Sequence, residues 1–164
     1  QVVHMCLRHH KKIQVHRRIA GSHSMMARID IDAEILPDGT IVSRDERKMV
    51  MVVDDSPMML RSMKQMLEER YQVMLATSGE QALAMMDKRK PDLVVLDYEM
   101  PECDGRETLE MIRTKEEIKD IPVVFLTGHG DAEHIRSVLD LNPSAYFLKP
   151  PKADKILEVL GQLL

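Results

Sequence analysis

A fivefold alternation over residues 49–164 narrows most sharply what this chain can fold into: a short apolar run, then a stretch with helical periodicity, five times over. The runs are MVMVVD, YQVMLA, DLVVLD, PVVFLT and AYFLKP. They are continuous rather than alternating, the pattern of strands covered on both faces of a sheet. Between them lie helix signals. Ser56-Pro57 opens the first, with Pro suited to the first helical position and Leu60, Met63 and Leu67 marking its apolar face. Ser78 with Gln81 predicts a capping box that opens a helix through Met86. A loop over 98–105 leads into a helix to about Arg113, and Asp131 caps another to about Leu141. The last helix runs from about Lys152 to Leu164, with Ile156, Leu157, Leu160 and Leu163 on one face. Right-handed crossovers make this an α/β fold, a doubly wound five-stranded parallel sheet. The strand orders that suit this size include 2-1-3-4-5, the flavodoxin-like arrangement.

The polar residues that close the runs carry the chemistry. They are Asp54-Asp55, Asp97, Thr127 and Lys149-Pro150. In a doubly wound sheet, ligands sit outside the carboxyl ends of the strands, near the point where strand order reverses. With order 2-1-3-4-5 the first and third strands are neighbours, so Asp54-Asp55 and Asp97 stand side by side. Clustered carboxylates repel, and a hard divalent cation such as Mg²⁺ relieves the conflict. A carboxylate can also be the nucleophile that forms an aspartyl-phosphate. Lys149 can neutralise phosphoryl charge as a point cation, and Thr127 can hydrogen-bond a phosphoryl oxygen. Alone, each residue has a plainer reading: an Asp at a strand end caps the next helix, Thr127-Gly128 is a turn, and Lys149 faces solvent. Their recurrence at the right strand ends in the right order sets the plain readings aside.

Composition limits the remaining choices. Only 3% of the chain is aromatic and Trp is absent, so aliphatic residues and 14 Met must fill the core. Residues 1–25 hold five basic residues and no acid, whereas residues 26–164 hold 18 basic and 27 acidic, a formal charge of −9. An acidic domain of this kind is not built for nonspecific nucleic-acid binding. Two cysteines, Cys6 and Cys103, make no disulfide framework or metal spacing, which suits a reducing cytoplasm. No apolar run approaches the roughly 18–20 residues of a membrane span.

The N-terminal portion divides at about residue 25. Residues 1–25, with five His, read as a basic leader or cloning-derived arm and are expected to be flexible; GSHSM resembles a cloning scar. Residues 26–48 read as a β-hairpin and charged linker: Ile29, Ile31, Ala33 and Ile35 alternate with acids, Pro37-Asp38-Gly39 signals a turn, and Thr40-Ile41-Val42 returns. Such a hairpin is marginal alone.

Residues 49–164, about 70% of the chain, resemble the receiver domain of two-component response regulators, close in kind to chemotaxis regulators. VVDDS resembles the family's acidic pair, VVLDYEMPECDG the phosphoacceptor segment, FLTGHG the switch-hydroxyl segment, and YFLKPP the lysine segment. The resemblance implies phosphoacceptance by Asp97, with Thr127 and Lys149 assisting. It implies Mg²⁺ as cofactor, held by Asp55, Asp97 and the backbone carbonyl of Glu99, with Asp54 acting largely through water. It implies a switch through Thr127 and Tyr146, and a cis Lys149-Pro150 peptide. Implied partners are a histidine kinase or phosphotransfer protein, a downstream protein docking on the face of the fourth helix, fifth strand and fifth helix, and a second copy in a homodimer, with no nucleic acid or membrane contact. Such a domain is not an enzyme beyond its own phosphoryl transfer and dephosphorylation. Four departures stand out: Glu99 two residues past the acceptor, His129 two past Thr127, Cys103 in the acceptor loop, and LNPSAY before the fifth strand. Three other readings compete. One is a degenerate receiver serving as a phosphorylation-independent scaffold. The second is an aspartate-nucleophile phosphatase, in which Glu99 would supply the acid/base. The third is a nucleic-acid-binding protein acting through the basic arm of residues 1–25.

Overall fold

A computed structural model describes residues 10–18, 26–35, 41–43, 47–128 and 132–164. The chain divides into two compact units, Gln1–Glu46 and Arg47–Leu164.

In the first unit, strands β1 (His10–Arg18), β2 (Met26–Ile35) and β3 (Ile41–Ser43) form an antiparallel sheet in that order. The β2–β3 pairing, with Ile35 opposite Ile41, is the expected hairpin; its turn lies outside the described residues. Strand β1 departs from the expectation of a flexible arm over 1–25. It pairs along its whole length with β2, placing Ile13 opposite Ile31, Val15 opposite Ile29 and Lys12 opposite Asp32. Residues 1–9 and 19–25 of that arm lie outside the described residues.

The second unit runs β4 (Met49–Val53), α1 (Pro57–Leu67), β5 (Gln72–Ala76), α2 (Gly79–Lys88), β6 (Leu93–Asp97), α3 (Gly105–Thr114), β7 (Val123–Thr127), α4 (Ala132–Val138), a 3₁₀ turn (Leu139–Leu141), β8 (Ala145–Leu148) and α5 (Ala153–Leu163). All its strand pairs are parallel, in the order β5-β4-β6-β7-β8. Counted within the unit this is 2-1-3-4-5, with the first and third strands adjacent at the centre.

Two apolar cores flank the sheet, as continuous apolar strands require. On one face Met51, Val53, Val94, Leu96, Val123 and Phe125 pack under α2, α3 and α4. On the other, Val50, Val52, Leu93, Val95, Val124 and Leu126 pack under α1 and α5. Helix α1 buries Leu60, Met63 and Leu67 at the spacing of one helical face. Helix α5 buries Ile156 and Leu160, but Leu163 of the expected stripe is exposed.

The helix starts follow capping chemistry. Ser56 accepts from the Met59 N–H with Pro57 in the first turn, and Ser78 accepts from the Gln81 N–H at 3.1 Å. The expected return bond from Gln81 is made to the Thr77 N–H at 2.6 Å instead of to Ser78. The reciprocal box occurs one helix later, between Asp104 and Glu107 at the start of α3. Helix α4 stops at Val138, earlier than expected, tightens into the 3₁₀ turn, and ends where Asn142 adopts φ 53°.

Candidate functional site

The parallel register brings every strand's carboxyl end to one edge. Asp54 follows β4 directly and its N–H donates to the Ala76 carbonyl at 3.1 Å, so the neighbouring strand fixes its backbone. Asp97 ends β6, one position beyond the Val53–Leu96 pair. Thr127 ends β7, and its carbonyl accepts from the Lys149 N–H at 2.9 Å, which fixes the lysine beside it. The Lys149-Pro150 peptide is cis.

These placements bring together residues far apart in sequence. Asp54 and Asp97 are almost fully buried, at 0% and 1% exposure. Lys149 reaches between them, with Nζ 2.8 Å from Asp54 Oδ2 and 2.9 Å from Asp97 Oδ1. Asp54 Oδ1 accepts from the Ser56 N–H at 2.8 Å, and Asp97 Oδ1 from the Glu99 N–H at 3.2 Å. Asp55 is exposed, and carboxylate oxygens of Asp54, Asp55 and Asp97 lie within 4.8 Å of one another.

The electrostatics follow from this crowding. Burial pushes the Asp97 carboxyl up to about 6, the adjacent Asp54 adding to the effect, against the lowering influence of the Lys149 and Glu99 hydrogen bonds. For Lys149, burial favours the neutral amine, but the hydrogen bonds it donates to Asp54 and Asp97, with their negative charge, outweigh it and raise its affinity for the proton. Two buried carboxylates therefore share one ammonium, with the exposed Asp55 carboxylate close to both. An all-oxygen donor set with uncompensated negative charge fits a hard divalent cation, so the residues present suit Mg²⁺.

Around this centre lie Glu99 and Tyr146, which the sequence singled out, and Gly105, Tyr98 and Phe125, which it did not. Gly105, at the start of α3, abuts the Asp97–Tyr98 segment: a Cβ there would come 2.4 Å from the Asp97 carbonyl oxygen and 2.7 Å from Tyr98 Cα. A Cβ on Gly128 would lie 3.4 Å from Glu99 Oε2, so the Glu99 side chain leans across the end of β7. Tyr98 packs edge-on against Phe125, with centroids 5.9 Å apart. Phe125 in turn stacks on Tyr146 at 5.5 Å. Tyr146 is half-buried and donates to the Ile135 carbonyl at 3.4 Å. Burial and the neighbouring Tyr98 push its phenol up to about 12. Tyr146 is the expected switch aromatic, whereas Tyr98 reads as an ordinary loop aromatic in the sequence; only the fold reveals that the two share Phe125. His129 and Asp131 lie outside the described residues.

Comparison with known proteins gives a consistent picture. A family model described as Response regulator receiver domain matches residues 50–161. The chain is 30% identical over 121 residues to the polar-differentiation response regulator DivK of Brucella ovis, covering 71% of this chain and 96% of that one. It is 37% identical over 101 residues to a probable cyclic di-GMP phosphodiesterase of Vibrio cholerae, covering 62% of this chain but only 23% of that longer protein. The chemotaxis protein CheY4 of Vibrio cholerae superposes with a TM-score of 0.69 at 26% identity, over 72% of this chain and 99% of that one. The N-terminal domain of a response regulator receiver protein from Methanoculleus marisnigri superposes with a TM-score of 0.58 at 37% identity, over 71% and 95% respectively.

Proposed function

The chain belongs to the response regulator receiver domain family, and from that premise we propose that Asp97 accepts a phosphoryl group from a histidine kinase or phosphotransfer protein and thereby alters binding of a downstream protein. The observation that carries this reading is the Lys149 ammonium within 2.9 Å of two buried carboxylates at the sheet's central switch point. The Glu99 N–H and the Lys149 ammonium both reach Asp97 Oδ1. A bond forms between a carboxylate oxygen of Asp97 and phosphorus, the phosphorus–nitrogen bond of a phosphohistidine breaks, and the imidazole leaves with the electron pair and retains its other proton. The arriving phosphoryl group lies within reach of the Lys149 ammonium and the Thr127 hydroxyl, which offset its charge. Asp54, Asp55, Asp97 and the Glu99 backbone carbonyl would hold Mg²⁺, whose chemistry there is neutralisation of developing negative charge. Thr127 and Tyr146 then reset the face built from α4, β8 and α5. The new charge biases a two-state element.

The protein acts on itself in this scheme and turns over no small-molecule substrate. Acetyl phosphate with Mg²⁺ tests the assignment. Intact-mass measurement should show one added phosphate, released by hydroxylamine and absent from Asp97→Asn. Uptake persisting in that variant would overturn the acceptor assignment. No uptake by the unaltered protein would favour a phosphorylation-independent scaffold, and steady hydrolysis of a generic phosphate ester would favour a phosphatase. Among the described residues no helix is long and apolar enough to cross a membrane.

A further inference from the structure

Thr127 and Tyr146 are not the only connection between the acceptor and helix α4. Tyr98 follows Asp97 directly, and its peptide groups are held on both sides: its N–H donates to the Leu126 carbonyl at 3.0 Å, and its carbonyl accepts from the Gly105 N–H at 2.9 Å. With the backbone fixed to β7 and α3, the ring is what extends toward α4. It lies edge-on to Phe125, and its phenol shares a 2.9 Å hydrogen bond with the Ser137 hydroxyl in the last turn of α4. Tyr146 reaches the same helix from the far side of Phe125, through a longer bond of 3.4 Å to the Ile135 carbonyl. Two phenols packed on one phenylalanine thus hold α4, and the shorter bond belongs to the residue covalently joined to Asp97.

We propose that Tyr98 is a positioning residue for the switch: its bond to Ser137 holds α4 in the unphosphorylated arrangement and is given up when Asp97 carries a phosphoryl group. The inference rests on the reading of Asp97 as phosphoacceptor. Its consequence has a sign. A bond present in only one of two states stabilises that state, and by linkage it opposes whatever ligand favours the other. Removing the bond therefore tightens binding of a phosphoryl mimic at Asp97. A single hydrogen bond of ordinary net strength corresponds to about two- to tenfold in affinity.

The test is a titration of the full chain with beryllofluoride and Mg²⁺, followed by backbone amide NMR. Tyr98→Phe keeps the ring and loses only the hydroxyl, and Ser137→Ala removes the other partner. Each should bind about two- to tenfold more tightly than the unaltered protein, and the double variant no more tightly than either alone, since both delete the same bond. A role in packing alone would lower thermal stability and leave the affinity unmoved. Unchanged or weaker affinity in either variant, or additive effects in the double variant, would overturn the inference while the acceptor reading stands. Failure of the unaltered protein to bind beryllofluoride would overturn the acceptor reading and this inference with it.

Discussion

Asp97 is a carboxylate that the fold holds under tension. Burial raises its proton affinity from 3.8 to about 6, so between those values the folded protein binds more protons than the unfolded chain. Its contribution to stability is therefore fully present below the ordinary carboxylate range and is lost as pH rises through about 6. Asp97→Asn removes the charge and keeps the shape. In the absence of metal it should stabilise the protein at neutral pH by about 1–3 kcal/mol, and urea denaturation should show the gain shrinking as pH falls toward 4. A gain that stayed constant across that range would assign it to something other than the buried charge. Asp54, Asp55, Asp97, Thr127 and Lys149 were legible in the sequence because each ends an apolar run, and a parallel sheet gathers run ends by construction. Tyr98 was not, because what gives it meaning is Ser137, 39 residues away. Gly105 was equally mute. A glycine at a helix start is ordinary until the Asp97 carbonyl is found where its Cβ would lie.

Helix α3 is the element that ties the loop after Asp97 to the end of α4. At its start, Gly105→Ala would force backbone apart rather than a movable side chain. It should cost about 1–3 kcal/mol and slow phosphate uptake by displacing Asp97, as thermal melts and a single-turnover assay would show. Further along, Arg106 pairs in bidentate fashion with Asp140, at 3.0 and 3.2 Å. Two turns on, Arg113 donates to the carbonyls of Lys119, Ile121, Leu141 and Asn142. A planar fork with several fixed donors suits that task, and a lysine cannot reproduce it. Arg113→Lys should destabilise by about 2–3 kcal/mol, and hydrogen exchange should quicken first around residues 139–144. The helix faces were legible as apolar periodicity. The arginine clamp was not, because its acceptors are backbone carbonyls, which every residue possesses.

For the whole molecule, ion binding and folding are coupled. A cation that binds the three gathered carboxylates binds only the folded chain, so Mg²⁺ at ten times its dissociation constant should add about 1.4 kcal/mol of stability. The melting temperature should climb with MgCl₂ but not with NaCl of equal ionic strength, and Asp55→Ala should abolish the difference. The parallel sheet and its strand order were legible because five continuous apolar runs leave few other arrangements. The strand at His10–Arg18 was not, because Ile13 and Val15 alternate among basic residues and the segment gains its pattern only from its partner in β2. The bridge from Lys149 to Asp54 and Asp97 has a further consequence for how the sheet is completed. The acids close the unit's first and third strands, and the cation closes its fifth, at the sheet edge. Two buried acids therefore lack this counter-charge until that edge strand has docked, so the electrostatic balance of the site reports that the sheet is whole.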